Sequence, residues 1–204
     1  MGFAEADGEG NFFNSALLVN HQLRKCHTTR KILLYDDDKK WCTLDSQVSG
    51  IEYNFKHFDL NFPRLQKTIK CGVGICMDVN WKDFDMSLIQ EKKLADHQVA
   101  NETQMLIFLS AWCNPEPNYQ VTDEAEEISS TVNCWADRLF PIVMSKRTNP
   151  NPFYLVACNR TGVEKTVLFL GSSVVLKLRP NLGYQSREPA GLRSQELLQA
   201  QCDF

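Results

Sequence analysis

Residues 72–78 read Gly-Val-Gly-Ile-Cys-Met-Asp, and this stretch decides how the rest of the chain is interpreted. An apolar run that starts at Thr68 predicts a β-strand, which ends abruptly at Cys76 with an acid, Asp78, close behind. Glycine at position 74 lets another group approach the backbone just before the thiol. Strand ends that face a crevice are where α/β proteins display reactive groups. From these local features alone, however, a buried core cysteine is the more ordinary explanation.

Short apolar runs alternate with longer helical patterns, which predicts an α/β fold and a single domain over residues 1–204. The predicted strands are 14–19, 31–35, 51–60, 68–76, 105–111, 153–158, 166–170 and 172–178. One helix is predicted to open at Ser87, which forms a capping-box pattern with Gln90. A second follows the acidic residues from Asp123, with a kink or an early end at Pro141. The tail, 180–204, is weakly patterned, and a short helix is expected at 194–200.

The composition excludes two classes of partner. Hydrophobic residues make up 43% of the 204 residues and charged residues 23%, as in an ordinary globular protein. The net charge of −3 gives no electrostatic reason to expect nucleic-acid binding, which needs clustered positive charge. No apolar run approaches the roughly 20 residues of a membrane helix, and the first residues open no signal peptide. We therefore expect no membrane partner and a cytoplasmic, or else nuclear, protein.

The eight cysteines and four histidines do not indicate a metal site. No two cysteines form a Cys-x-x-Cys pair, and the histidines are dispersed along the chain. We expect no metal and no cofactor. Most of the cysteines are interpreted as small core residues of a reducing compartment, with Cys76 as the exception.

Several motifs together carry a family resemblance. Residues 74–78 resemble the nucleophile strand of the nitrilase superfamily of carbon–nitrogen hydrolases. Residues 79–84, Val-Asn-Trp-Lys-Asp-Phe, are similar to its protein N-terminal asparagine amidase branch. Further matches follow in collinear order at 1–5, 14–16, 30–35 with Trp41, 109–112, 135–141, 159–164 and 171–173. Any one of these motifs is weak, but the ordered set is strong, and it favours a nucleophile at Cys76.

The resemblance implies an αββα sandwich with a Glu-Lys-Cys catalytic set. It identifies Cys76 as the nucleophile and Lys31 as the stabiliser of the oxyanion. Lys25 also follows an arginine and is a rival, but the nearby Tyr35 and Trp41 favour Lys31. The chemistry is coherent, because a carboxylate base takes the thiol proton while an ammonium group stabilises the tetrahedral oxyanion.

This sequence departs from the family pattern in two places. The family's general-base glutamate precedes the Gly-aromatic-x-Glu strand, which here is the first segment of the chain. Glu5 matches the later glutamate, and we predict a structural, hydrogen-bonded carboxylate. Asp38 is retained ahead of the tryptophan, but Lys39 stands where a glutamate is common. We therefore expect a sandwich that is incomplete at its N-terminus, with weak or no activity.

Two functions from different classes remain open. The first is a cysteine amidohydrolase that deamidates N-terminal Asn or Gln of proteins, with small free amides as sibling substrates. The second is a non-catalytic remnant with a binding or regulatory role. For the substrate we consider Asp38 and Asp78, either of which could hold its α-amine, although Asp78 fits a structural role better. Trp112 could form a wall of the pocket or belong to the core. A homodimer is compatible with this fold.

Overall fold

The computed structural model describes residues 1–19, 25–146, 151–179, 182–186, 189–193 and 196–204, without the side chains of residues 25 and 26. The strands are β1 Gly2–Ala6, β2 Phe12–Val19, β3 Lys25–Arg30, β4 His57–Phe62, β5 Lys67–Ile75, β6 Met105–Ser110, β7 Cys113–Asn114, β8 Phe153–Asn159, β9 Thr161–Glu164, β10 Val167–Leu170, β11 Val174–Arg179 and β12 Gly183–Ser186. The helices are α1 Asp45–Ser49, α2 Lys93–Ala100, α3 Glu124–Arg138 and α4 Phe140–Met144.

The strands form one large sheet and two small ones. The large sheet has six strands in the order β12-β11-β8-β6-β5-β4. Its centre is parallel, because β6 pairs in parallel with both β5 and β8, whereas the remaining pairs are antiparallel. The small sheets are β1-β2-β3 and β7-β10-β9. The carboxyl ends of β5, β6 and β8 therefore meet at one edge of the large sheet, where Cys76 follows β5.

One face of the large sheet packs against helices. Leu106 and Phe108 of β6 are fully buried there, together with Trp135 of α3, whose ring meets Phe108 edge-on at 5.7 Å. The glycines of β5 lie on this face. A Cβ atom on Gly74 would stand 2.8 Å from the Leu94 side chain, so the close approach predicted from sequence is made by α2.

The opposite face of the large sheet meets the small sheet β1-β2-β3. Val73 and Ile75 of β5 form a cluster with Ala16 of β2, which joins the two sheets. On the outer side of the small sheet, the Arg30 guanidinium lies 3.6 Å from the centre of the Phe13 ring and pairs with Asp45 of α1. Helices, the large sheet and the small sheet thus follow one another, in agreement with the predicted αββα type of sandwich. On the outer side of the small sheet, the contact with a helix is the Arg30–Asp45 pair with the short helix α1.

Three predicted elements are wrong in their bounds. Residues 31–35 are not a strand: β3 ends at Arg30, and the backbone N–H groups of Ile32 and Leu33 go to a side chain, that of Asp78, instead of a neighbouring strand. The alternation over 51–60 produces a strand only from His57. The helix expected from Ser87 begins at Lys93, because Asp85 caps a separate short 3₁₀ turn, Met86–Leu88.

Other expectations are confirmed, are wrong or fall outside the described residues. The break at Pro141 is confirmed, since α3 ends at Arg138 and α4 begins at Phe140. The interpretation of most cysteines as core residues is wrong: of the seven described cysteines, Cys71 is buried, Cys158 is exposed and the other five are partly exposed. In the predicted tail helix, 196–200 is irregular and 194–195 lie outside the description. In the described parts of the chain, none of the helices has the length and apolar character needed to cross a membrane.

Candidate active site

Cys76 stands at the point where β5 turns into a short 3₁₀ segment, Cys76–Val79. Its φ of +46° lies in the left-handed region, which a non-glycine residue adopts only when its surroundings enforce it. The side chain is half-buried and faces a cleft instead of the helix layer. The explanation as an ordinary core cysteine therefore does not describe its position.

Lys31 directly follows β3 and is 4% exposed. Its Nζ atom forms a buried ion pair with Asp38, and its backbone N–H donates to the Asn14 carbonyl at 2.7 Å. Burial acts to lower the pKa of Lys31, but the charges of Cys76 and Asp38 outweigh it, so the pKa is raised. The ammonium group consequently stays charged within electrostatic reach of the Cys76 sulfur. The rival Lys25 lies on β3, but its side chain is outside the described residues.

Both carboxylate oxygens of Asp38 are occupied. One accepts a hydrogen bond from the Asn14 side-chain amide at 3.0 Å. The other accepts from the backbone N–H of Tyr35 at 2.9 Å and from the Lys31 ammonium. Asp38 thus orients Lys31, a different task from the substrate contact suggested by the sequence.

Asp78 joins the lysine segment to the nucleophile turn. It is 2% exposed and accepts the backbone N–H groups of Ile32, Leu33 and Ile75 at 2.8, 2.9 and 2.9 Å. Burial raises the pKa of its carboxyl group to about 6, against the lowering effect of these hydrogen bonds and of Lys31. Of the two roles considered for Asp78, this geometry supports the structural one, because its oxygens are turned inward to the backbone.

Two cavities meet at Cys76. The larger, a cleft of about 780 Å³, also contains Lys31, Asp38 and the chain segment from Cys158 to Arg160. The smaller, about 250 Å³, is apolar and is enclosed by Trp112, Phe84 and their neighbours. Trp112 therefore contributes to a pocket wall, and it also touches the core through an edge-on contact with Trp135 at 6.2 Å.

Sequence reasoning missed the polar residues that hold the site's loops. The Asn159 side chain accepts the Trp112 backbone N–H at 2.7 Å and donates to the Gly171 carbonyl at 2.7 Å. Arg138 of α3 donates to the Asn80 side chain at 2.5 Å, just beyond the nucleophile turn. Asn159 lay within a matched motif but carried no assigned role. Arg138 likewise lay within the matched motif 135–141 without an assigned role, because its partner Asn80 is distant in sequence.

The two departures noted in the sequence have structural outcomes. Glu5 accepts hydrogen bonds from Ser15 at 2.6 Å and from Arg30 at 2.7 Å, which is the structural role expected of it. Lys39 does not occupy the place of an acid beside Lys31. Its amine lies on the surface, 2.8 Å from Asp83, and Asp38 supplies the carboxylate next to Lys31.

In the described segments, no three His, Cys, Asp or Glu side chains converge in a way that could hold a metal ion. The site offers instead a thiol, an ammonium group and a network of backbone-bonded carboxylates. This set of groups suits attack on a carbonyl carbon and stabilisation of the oxyanion that forms.

Comparisons with known proteins show what this chain is similar to. The sequence matches no protein-family model. It is 29% identical over 125 residues to the protein N-terminal amidase of Saccharomyces cerevisiae, a match that covers 56% of this chain and 26% of that protein. The chain thus spans about a quarter of the length of this curated relative.

Solved structures extend the likeness to almost the whole chain. A crystal structure of N-terminal amidase with an Asn-Glu-Ala peptide superimposes with a TM-score of 0.73 at 18% identity, covering 94% of this chain and 74% of that one. A nitrilase-superfamily amidase from Nesterenkonia gives 0.60 at 15% identity, covering 94% and 57%. The nitrilase-type fold and the resemblance to N-terminal amidases are thereby confirmed.

Proposed function

We propose that this chain is a cysteine-dependent amidohydrolase that deamidates N-terminal Asn or Gln of proteins. One observation carries the proposal: a strained cysteine at the end of a parallel strand faces a cleft beside a buried, charged lysine. The two solved structures just described are of amidases, one from the nitrilase superfamily and the other crystallised with an Asn-initiated peptide. The whole protein's activity is inferred from this likeness together with the geometry of the site.

The reaction assigns a task to each residue. The Cys76 sulfur attacks the side-chain carbonyl carbon of the substrate, and the thiol proton ends on the nitrogen that leaves as ammonia. The Lys31 ammonium stabilises the negative oxygen of the tetrahedral intermediate, and Asp38 keeps that ammonium in place. Ammonia leaves, and water then hydrolyses the thioester to give Asp or Glu. The resemblance matched none of these 204 residues to the general base, so we expect slow turnover.

The open cleft supports a polypeptide substrate. N-terminal amidase has been crystallised with Asn-Glu-Ala and with Gln-Val peptides, which supports a peptide N-terminus as the substrate of this chain. A cleft of about 780 Å³ leaves room for the residues that follow the first one. A cytosolic or nuclear location, where protein N-termini are abundant, and a homodimer stay predictions.

The proposal is tested by ammonia release from an Asn-Glu-Ala peptide. We expect release by the parent chain, none by Cys76→Ala, and parent-like release by Cys134→Ala, which removes a thiol from α3 away from the cleft. A small amide such as propionamide is assayed in parallel, because small free amides are the alternative substrates for the same chemistry. If the parent and Cys76→Ala give identical traces with both compounds, the non-catalytic alternative replaces the hydrolase.

A further inference from the structure

A protein N-terminus brings a second recognisable group besides the amide, its α-ammonium. The α-amino pKa is about 7.7–8.0, so the group is mainly charged at neutral pH. In an N-terminal Asn or Gln, the α-nitrogen is a few covalent bonds from the carbonyl carbon that the thiol attacks. An enzyme that prefers this residue to an internal Asn therefore gains from a carboxylate near the nucleophile. The inference that follows rests on the proposed function.

Among the described residues, the carboxylates that line the cleft are those of Asp37, Asp38 and Glu164. Asp38 is buried, and its oxygens already bind Lys31, Asn14 and the Tyr35 backbone. A substrate ammonium at Asp38 would displace the lysine that the reaction needs. The choice is therefore between Asp37 and Glu164.

Glu164 is held by a neighbour. It pairs with Arg160 at 2.8 Å, four residues earlier in the chain. The Arg160 guanidinium in turn lies 4.2 Å from the centre of the Phe169 ring. Arg160 would lose this cation–π contact if its guanidinium moved away from Glu164. The Arg160–Glu164 pair forms a wall of the cleft whose negative charge is already neutralised.

Asp37 is more exposed than Glu164. It pairs with Lys40, and the two side chains are 77% and 73% exposed, against 57% and 50% for Glu164 and Arg160. Ion pairs contribute little at such exposure. Asp37 also precedes the 3₁₀ turn Asp38–Lys40, but its side chain caps none of the N–H groups of that turn. An incoming cation can therefore replace Lys40, whose amine returns to water.

The charge of Asp37 affects Cys113, which lines the cleft together with Cys76. Burial, and after it the charges of Cys76 and Asp37, raise the pKa of the Cys113 thiol. Cys113 lines both cavities together with Cys76. Asp37 and Cys76 also line the same cleft, so one substrate can reach both residues.

We propose that Asp37 binds the α-ammonium group of the substrate and so selects Asn and Gln at the start of a chain. Asp37 is then a specificity-determining residue, and Lys40 is its counter-ion in the empty site. The selection acts on charge at the first residue and not on the amide itself.

Binding to the catalytically silent Cys76→Ala chain tests this assignment. The probes are a fluorescently labelled Asn-Glu-Ala peptide with a free amine and the same peptide N-acetylated, measured by fluorescence polarisation. We expect the free peptide to bind about tenfold more tightly at pH 6.5, the effect of one charge-assisted contact. This preference should fade as the pH rises through 8, where the amine loses its proton.

Asp37→Asn is compared with Asp36→Asn, which removes the same charge from the neighbouring residue outside the cleft lining. We expect Asp37→Asn to abolish the preference and Asp36→Asn to keep it. Equal affinity of the two peptides, absence of binding by both, or a preference that survives in Asp37→Asn overturns the inference. A parent chain that releases no ammonia while Asp37-dependent binding persists contradicts only the hydrolase.

Discussion

At the scale of single residues, the site is a set of buried charges that satisfy one another. Lys31, Asp38 and Asp78 are each less than a tenth exposed, and each binds an opposite charge or backbone groups. Burying such groups unpaired would cost several kcal/mol, roughly. The network therefore fixes the Lys31 ammonium at one place, and Asp78 fixes the turn that carries the thiol.

Lys31→Met removes the ammonium while keeping most of the side-chain length. We expect kcat/KM for ammonia release to fall by about 10²–10³, because a preorganised stabiliser of the oxyanion is lost. Lys40→Met, at an exposed position, is the matched control for kcat with the small amide propionamide. Equal rates for the Lys31 variant and the parent would remove Lys31 from the mechanism.

The raised pKa of Asp78 predicts a pH dependence of stability. In the folded chain this pKa is about 6, above its value of roughly 3.9 when unfolded, so folding favours the protonated form. The stabilisation that comes from protonated Asp78 is fully present below pH 4 and is lost as the pH rises through 6. Relative to Asp78→Asn, the free energy of unfolding in urea should therefore be highest at pH 4 and decline towards pH 7. A rise over this range would show that the hydrogen bonds outweigh burial.

At the scale of elements, β5 and α2 determine how the nucleophile is presented. The glycines of β5 let α2 lie directly on the strand, and Gln98 of α2 fills the space above Gly72. Gln98 is fully buried and accepts a hydrogen bond from Thr103 at 2.8 Å. The strand therefore cannot move relative to the helix without breaking this packing.

Gly72→Ala should disturb this contact, because a Cβ atom there would lie 2.0 Å from the Gln98 side-chain oxygen. We expect a loss of about 1–3 kcal/mol in the free energy of unfolding, as for other overpacked cores. Gly2→Ala is the control, since its nearest contact would be 3.9 Å away. Urea unfolding followed by far-UV circular dichroism measures both, and equal midpoints would contradict the packing described.

At the scale of the whole molecule, the sheets are joined by side-chain hydrogen bonds as well as by apolar packing. Asn159, at the end of β8, binds the loop after β6 and the loop after β10 at once. The tail also packs on the large sheet, where the Asp203 carboxylate pairs with Lys177 at 2.8 Å and the Asp203 N–H donates to Tyr154. The weakly patterned tail of the sequence is thus anchored at its described end.

Asn159→Ala should loosen the join between β8 and the small sheet β7-β10-β9. It leaves the Trp112 N–H without its acceptor, at a cost of about 1–3 kcal/mol in unfolding free energy. Asn61→Ala, at an exposed position of the edge strand β4, is the control. A thermal midpoint unchanged in Asn159→Ala would contradict the bridging role.

The sequence predicts the strands that are buried on both faces and the ends of the longest helix, because those depend on local apolar patterns. It does not predict the irregular path of residues 31–35, where Asp78 replaces the ladder partners of a strand. Cys76 and Lys31 were identified from sequence motifs. The hydrogen bond between Asp38 and Asn14 joins residues that are far apart in the sequence, so the residues next to Asp38 do not predict it. That residues 1–204 form one domain stays a prediction.

The most direct measurement is to trap the thioester. The chain is mixed with excess Asn-Glu-Ala peptide, quenched in acid within seconds and mapped by mass spectrometry of its proteolytic fragments. We predict an acyl adduct on Cys76, with the mass of the peptide less ammonia, and none in Cys76→Ala. An adduct on another cysteine, or no adduct while ammonia is released, would contradict the assignment of Cys76 as the nucleophile.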